Sequence, residues 1–137
     1  MAEIRQTILD AGAANEVGSV FDCSGLPNAF LELVTDLEEA DLVGSIALGV
    51  GIEGPVEGVT VFPPMNFGLA LTAAPTGITY TPANGVITLN NVATGRQTLL
   101  MRIASPPRYI VPTYTYTSGG GTNPKVRLIA WGWQADT

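Results

Sequence analysis

The sequence predicts an all-β domain, a small antiparallel β-sandwich, and three observations carry that prediction. Turn-forming residues recur about every 8–12 positions, the rhythm of short strands joined by tight connections. Sixteen glycines and ten prolines leave little room for long helices. Between the turn signals, the runs favour β-branched and aromatic residues, which suit a pleated, half-buried surface.

The turn signals, in order, are Gly12, Gly25-Leu26-Pro27-Asn28, Gly54-Pro55, Pro63-Pro64, Ala74-Pro75-Thr76-Gly77, Asn84-Gly85, Asn90-Asn91, Pro106-Pro107 and Gly119-Gly120-Gly121. The stretch from Phe30 to Asp41 is the ambiguous one. Phe30, Leu33, Val34 and Leu37 fall at helical spacing, while Leu31, Leu33 and Thr35 alternate as in a strand. A strand running into an acidic loop is the preferred reading. Ser45 to Ile52 is the clearest strand: Ile46, Leu48, Val50 and Ile52 make one apolar face, and Ser45, Ala47, Gly49 and Gly51 leave the other nearly bare. A face shaved in this way admits close approach of another backbone or a partner. Thr79 to Leu89 reads as strand, turn and strand around Asn84-Gly85. Tyr109 to Thr117 places Tyr114 and Tyr116 on one face and Thr113, Thr115 and Thr117 on the other. Lys125 to Trp133 sends Val126, Leu128 and Ala130 one way and Lys125, Arg127, Ile129, Trp131 and Trp133 the other. No repeat or linker divides the chain, so residues 1–137 form one domain.

Charged residues make up 13% of the chain and hydrophobic ones 46%, against about 25% charged in an ordinary domain. A small domain so poor in charge exposes uncharged surface that a partner can cover. Eleven of the twelve acids lie in residues 1–57 beside a single Arg5, a net charge of −10, and residues 58–137 carry +4. Either the two halves occupy different faces and the molecule is polar, or the strands interleave and the charges mix. The overall charge of −6 argues against a nucleic-acid partner. The sequence lacks the apolar run of a signal peptide, and its longest apolar stretch, Leu42 to Ile52, is too short to cross a bilayer. A soluble chain with no membrane partner, folded in a reducing cytoplasm, is expected.

The absence of histidine removes Ser-His-Asp and Cys-His nucleophile systems and histidine zinc sites. A lone cysteine, Cys23, removes an intrachain disulfide and thiolate clusters, and it reads as a small buried hydrophobe. Gly49-Val50-Gly51-Ile52-Glu53-Gly54 matches G-x-G-x-x-G literally, but Pro55 and a β-like run follow where a dinucleotide site needs a helix. Asp36 to Asp41 lacks the alternation of a calcium loop, and Glu53 with Glu57 lacks sugar-stacking aromatics nearby. No enzyme activity, cofactor or metal is expected. Trp131 and Trp133 share a face and, with Tyr114 and Tyr116, are candidates for a carbohydrate platform. The preferred alternative has them closing one end of the core or buried in a subunit interface.

Pro106-Pro107-Arg108-Tyr109-Ile110-Val111-Pro112-Thr113-Tyr114, the glycine turn from Gly119 to Thr122, and Val126-Arg127-Leu128-Ile129-Ala130 together resemble tailed-bacteriophage capsid decoration (cement) proteins. Gln6 to Gly12 is loosely similar to their first strand, and residues 43–95 have no counterpart. The resemblance implies a jelly-roll-like sandwich that assembles as a dimer or trimer on a virion surface after expression in the host cytoplasm. Its partners would be the major capsid protein and itself, and its docking cations Arg102, Arg108, Lys125 and Arg127. A carbohydrate- or receptor-binding module of a phage fibre or tail is the alternative.

Overall fold

The computed structural model describes residues 2–51, 69–81 and 85–134, and every regular element among them is a β-strand. In chain order these are β1 (Glu3–Ala11), β2 (Glu16–Val17), β3 (Phe21–Asp22), β4 (Asn28–Leu37), β5 (Leu42–Gly51), β6 (Leu69–Ala70), β7 (Ile78–Thr81), β8 (Val86–Val92), β9 (Gly95–Ala104), β10 (Tyr109–Ser118) and β11 (Lys125–Trp133). They form two antiparallel sheets packed as a sandwich. The first runs β1-β11-β4-β9-β6 and the second β2-β10-β5-β8-β7, with β3 also paired to β10. If the short β6 and β7 are set aside, and β2 and β3 counted as two pieces of one strand, eight strands remain. Their order is 1-8-3-6 in one sheet and 2-7-4-5 in the other, the double Greek-key winding of a jelly roll.

Alternation builds the core. Leu31, Leu33, Leu99, Met101, Val126 and Leu128 point inward from the first sheet, and Ile46, Leu48, Ile87, Leu89, Ile110 and Tyr114 from the second. All are fully buried. Each large apolar side chain removed from water contributes about 1.5–3 kcal/mol, which fixes the inward register of its strand. Phe30 to Leu37 is strand, and Glu38 to Asp41 forms the acidic turn after it, as the sequence predicts. Each inner face also holds one hydroxyl with no hydrogen-bond partner among the described residues, Thr35 in the first sheet and Tyr114 in the second.

Three departures from the sequence reading have local causes. Asn90-Asn91 is a bulge, not a turn: Leu42 pairs with Val92 and Val43 with Asn90, and the extra Asn91 takes φ 57°. Strand β9, in which Leu99, Met101 and Ile103 face the core, escaped notice because Leu100 interrupts the apolar–polar alternation. Pro112 stands inside β10, where a missing N–H would ordinarily cost a ladder bond. It sits between the β3 and β2 pairings, and its carbonyl accepts the Gly18 N–H at 2.8 Å on that same side. The missing donor therefore points at a break in the ladder.

The glycine turn before β11 clamps the acidic turn. Gly119 has φ 81°, and a Cβ there would collide with the Asp41 carbonyl oxygen. Next to it, the Gly120 N–H donates to Ala40 O at 3.1 Å, and the Tyr116 hydroxyl donates to Gly119 O at 2.9 Å. Ile52 and the residues after it up to Gly68, which include Glu53, Glu57 and two of the turn signals, lie outside the described residues, as does Asn84.

Candidate functional site

Strand register sets out the solvent face of the first sheet row by row. Arg5, Trp131, Phe30 and Arg102 stand side by side across β1, β11, β4 and β9. Thr7, Ile129, Glu32 and Leu100 form the next row, and Asp10, Arg127, Val34 and Thr98 the one after. Lys125, Asp36 and Arg96 close that end, while Glu3 and Trp133 pair beyond the other.

Three aromatic rings cluster on this face. Phe30 stacks on Trp131 with centroids 5.8 Å apart, and Trp133 meets Phe30 edge-on at 5.7 Å. The Arg5 guanidinium lies 4.9 Å from the Trp131 ring centre and closes the cluster with a cation–π contact. Trp133 is 43% exposed, and Trp131 and Phe30 are half-buried. Such a ring cluster is costly to leave in water, because each aromatic carries a large apolar area.

Five of the six basic residues, Arg5, Arg96, Arg102, Lys125 and Arg127, project from this face, with Glu3, Asp10, Glu32 and Asp36 among them. Arg5 Nε donates to Glu3 Oε1 at 3.2 Å and Arg127 Nε to Asp10 Oδ1 at 3.4 Å. Both pairs are exposed and of small energetic weight. At the β4–β9 end, Arg96, Lys125, Arg127 and Asp36 surround a shallow cleft of about 100 Å³ floored by Val34 and Ile129. The two charge segments thus mix on this sheet, since acidic β1 and β4 alternate with basic β11 and β9. Among the described residues, the turn with Glu38, Glu39 and Asp41 keeps three acids together.

The solvent face of the second sheet is different. Val17, Thr113, Ala47, Val86 and Thr81 form one row, and Thr115, Ser45, Thr88 and Thr79 the next. Neither row carries a charge. The shaved side of β5 lies here and points away from the core.

The candidate residues therefore scatter. Arg102, Lys125, Arg127, Trp131 and Trp133 share the first sheet's solvent face. Arg108 sits before β10 on the second sheet's side, its guanidinium 5.0 Å from the Tyr109 ring centre. Tyr114 is fully buried and offers no contact surface, and Tyr116 packs against the core. No platform joins the tyrosines to the tryptophans, because they belong to opposite sheets. The indoles do not close the core either: odd positions of β11 point to solvent while Val126, Leu128 and Ala130 fill the interior. Phe30 and Arg5 complete the cluster and were missed, since only the pairing of β4 and β1 with β11 brings them beside Trp131.

Burial, then the neighbouring Asp22 charge, pushes the Cys23 thiol up to about 12. Burial, then Tyr116, pushes Tyr114 up to about 12 as well. Exposed Asp22 is held below its usual value by hydrogen bonds from Ser24, whose N–H donates to Oδ1 at 2.9 Å. No three metal-ligating side chains converge among the described residues, and no helix there is long and apolar enough to cross a membrane. The chain matches no protein-family model, and neither curated proteins nor solved structures gave a significant match.

Proposed function

We propose that this chain is a virion structural protein, a capsid decoration subunit that docks on the outer face of a viral shell and bridges coat subunits without catalysing a reaction. The observation that carries the reading is the Phe30–Trp131–Trp133 cluster, set among Arg5 and Arg102 on the solvent side of a sheet whose inner side is already filled. Trp and Arg concentrate at the energetic centres of protein interfaces, where an apolar ring fills a pocket and a guanidinium pairs with an acidic or carbonyl partner. The jelly-roll winding, a fold used by viral capsid and lectin domains, and the resemblance of residues 106–130 point the same way. A fold hosts many functions, so the weight rests on the face and not on the winding.

The test is co-sedimentation with expanded shells of a candidate major capsid protein from the genome that encodes this chain. The native chain is expected to pellet with them. The Trp131→Ala/Trp133→Ala variant, shown to be folded by circular dichroism, is expected to stay in the supernatant. A native chain that never pellets with such shells would sink the proposal.

The exposure of Trp133 beside Trp131 also suits a carbohydrate- or receptor-binding module, because a sugar ring stacks on an open indole. Hits on a glycan array that vanish in Trp133→Ala would favour that second reading.

A further inference from the structure

We infer that β1 is a pairing edge for a second copy of this chain, joined antiparallel about Ile4 so that the two first sheets become one continuous sheet across a two-fold axis. Edge strands invite such addition, and natural proteins blunt them with prolines, lysines, bulges or extreme shortness. Among the described residues, the other sheet margins are short: β2, β3 and β6 have two residues each and β7 has four. Strand β1 has nine, and no proline, lysine or glycine interrupts it. Its second half is closed off, since a bulge falls between Thr7 and Leu9, Ser19 N–H donates to Ile8 O at 2.8 Å, and Gln6 Nε2 donates to Val20 O at 3.4 Å. Ala2 to Thr7 is the stretch whose outer edge pairs with no strand among the described residues.

Hydrogen-bond parity and charge select the same register there. Gln134 N–H donates to Ala2 O at 2.9 Å, which makes Ala2 and Gln134 a hydrogen-bonded pair. By alternation, Ile4 and Gln6 also bond toward β11, and the N–H and C=O groups of Glu3, Arg5 and Thr7 point outward. Pairing about Ile4 places Glu3 opposite Arg5 of the second copy and Arg5 opposite its Glu3, so all four residues meet as hydrogen-bonded pairs. Their side chains, 45% and 57% exposed, already lie on one face with Arg5 Nε 3.2 Å from Glu3 Oε1. Across the axis they become a ring of four alternating charges. Pairing about Arg5 keeps the parity but opposes two arginines, and pairing about Glu3 opposes two glutamates. Like charges directly across strands are destabilising, so the Ile4-centred register is the one selected. A two-fold contact is self-complementary and closes on itself. It would set the two Trp131 clusters side by side on one broad face.

The test is sedimentation velocity of the full chain over a range of concentration, with no shell present. The native chain is expected to sediment as a dimer. Glu3→Arg and Arg5→Glu each set like charges opposite one another and are expected to weaken dimerisation by roughly tenfold or more. Mixing the two variants restores opposite pairs and should produce a heterodimer. The double swap Glu3→Arg/Arg5→Glu should regain the homodimer. A native chain monomeric up to high micromolar concentration, single variants that dimerise like the native chain, or a mixture that fails to associate would each overturn the inference. Shell docking is read in a different experiment, so failure here is distinguishable from failure there.

Discussion

The two solvent faces of this sandwich are built from the same kind of strand and carry opposite surfaces. Across β1, β11, β4 and β9 the outward positions hold three aromatic rings, five basic residues and four acids. Across β10, β5, β8 and β7 two full rows of outward positions hold hydroxyls, methyls and no charge. A face of threonines satisfies water with its hydroxyls and has little to gain from a partner. A face with exposed rings and guanidinium groups gains from desolvating the rings and from pairing the charges. The contrast teaches that charge is not spread evenly among the described residues: the outward positions of the first sheet hold the ring cluster and nine charged side chains, and two full outward rows of the second hold none.

The largest expected effect tests that division. Trp131→Ala/Trp133→Ala should weaken shell binding by on the order of 100-fold, as loss of an interface centre does, whereas Thr88→Ala/Thr115→Ala should leave it within about threefold. Binding isotherms from co-sedimentation decide it, and the reverse pattern would move the docking surface to the second sheet.

The sheets should also differ in their response to alkali. Among the described residues, Cys23, Tyr80 and Tyr114, the groups whose protons burial holds on more tightly, all belong to the second sheet or the segment leading from its β3. In the folded chain Cys23 and Tyr114 keep their protons up to about 12, against ordinary values of 9.0 and 10.0. Between those limits the unfolded chain binds fewer protons than the folded one, so stability is full below about pH 9 and falls as pH rises toward 12. Urea midpoints measured from pH 8 to 12 should show this decline, and Tyr114→Phe should make it shallower above about pH 10 while Cys23 keeps its onset near pH 9. Cys23 should react with thiol reagents only at the rate of unfolding.

A smaller effect separates the faces by salt. Docking through Arg5, Arg102 and their neighbours should weaken by roughly tenfold between 50 and 500 mM salt, as exposed charges become screened. Binding indifferent to salt would point to the uncharged face. The smallest effect compares the inner faces, each with its unpartnered hydroxyl. Thr35→Val and Tyr114→Phe at neutral pH should be neutral or stabilising by up to about 1 kcal/mol in urea unfolding, because each removes a buried polar atom that gains no bond. A loss above 1 kcal/mol for either would show that the hydroxyl has a partner.

Much of this was legible along the chain. Period-two alternation in β5, β10 and β11 gave the strands and sorted their side chains into two faces, and burial of Val126 and Leu128 then turned Lys125, Arg127 and both indoles of β11 to solvent, against the expectation that the indoles close the core. The acidic run after Leu37 favoured a loop over a helix end, because Glu38, Glu39 and Asp41 cannot enter a core, whereas Asp36 ends up on the solvent face of β4. The site was legible only in part. Trp131 and Trp133 are neighbours in sequence and were visible as a pair, and Tyr114 and Tyr116 were visible as another, with nothing local to say that the pairs lie on opposite sheets.

The sequence by itself determined what depends on neighbours two residues apart, the positions of the cleanly alternating strands β5, β10 and β11, and what depends on composition, the lack of histidine and of a second cysteine. Tertiary structure alone decided which strands lie side by side. That order depends on pairings between segments more than a hundred residues apart, such as Arg5 with Trp131 and Phe30 with Trp131, and no local pattern encodes them. Only that order turned three separate aromatics into a cluster, mixed two charge segments that are separate in sequence, and left β1 at the margin of its sheet among the described residues.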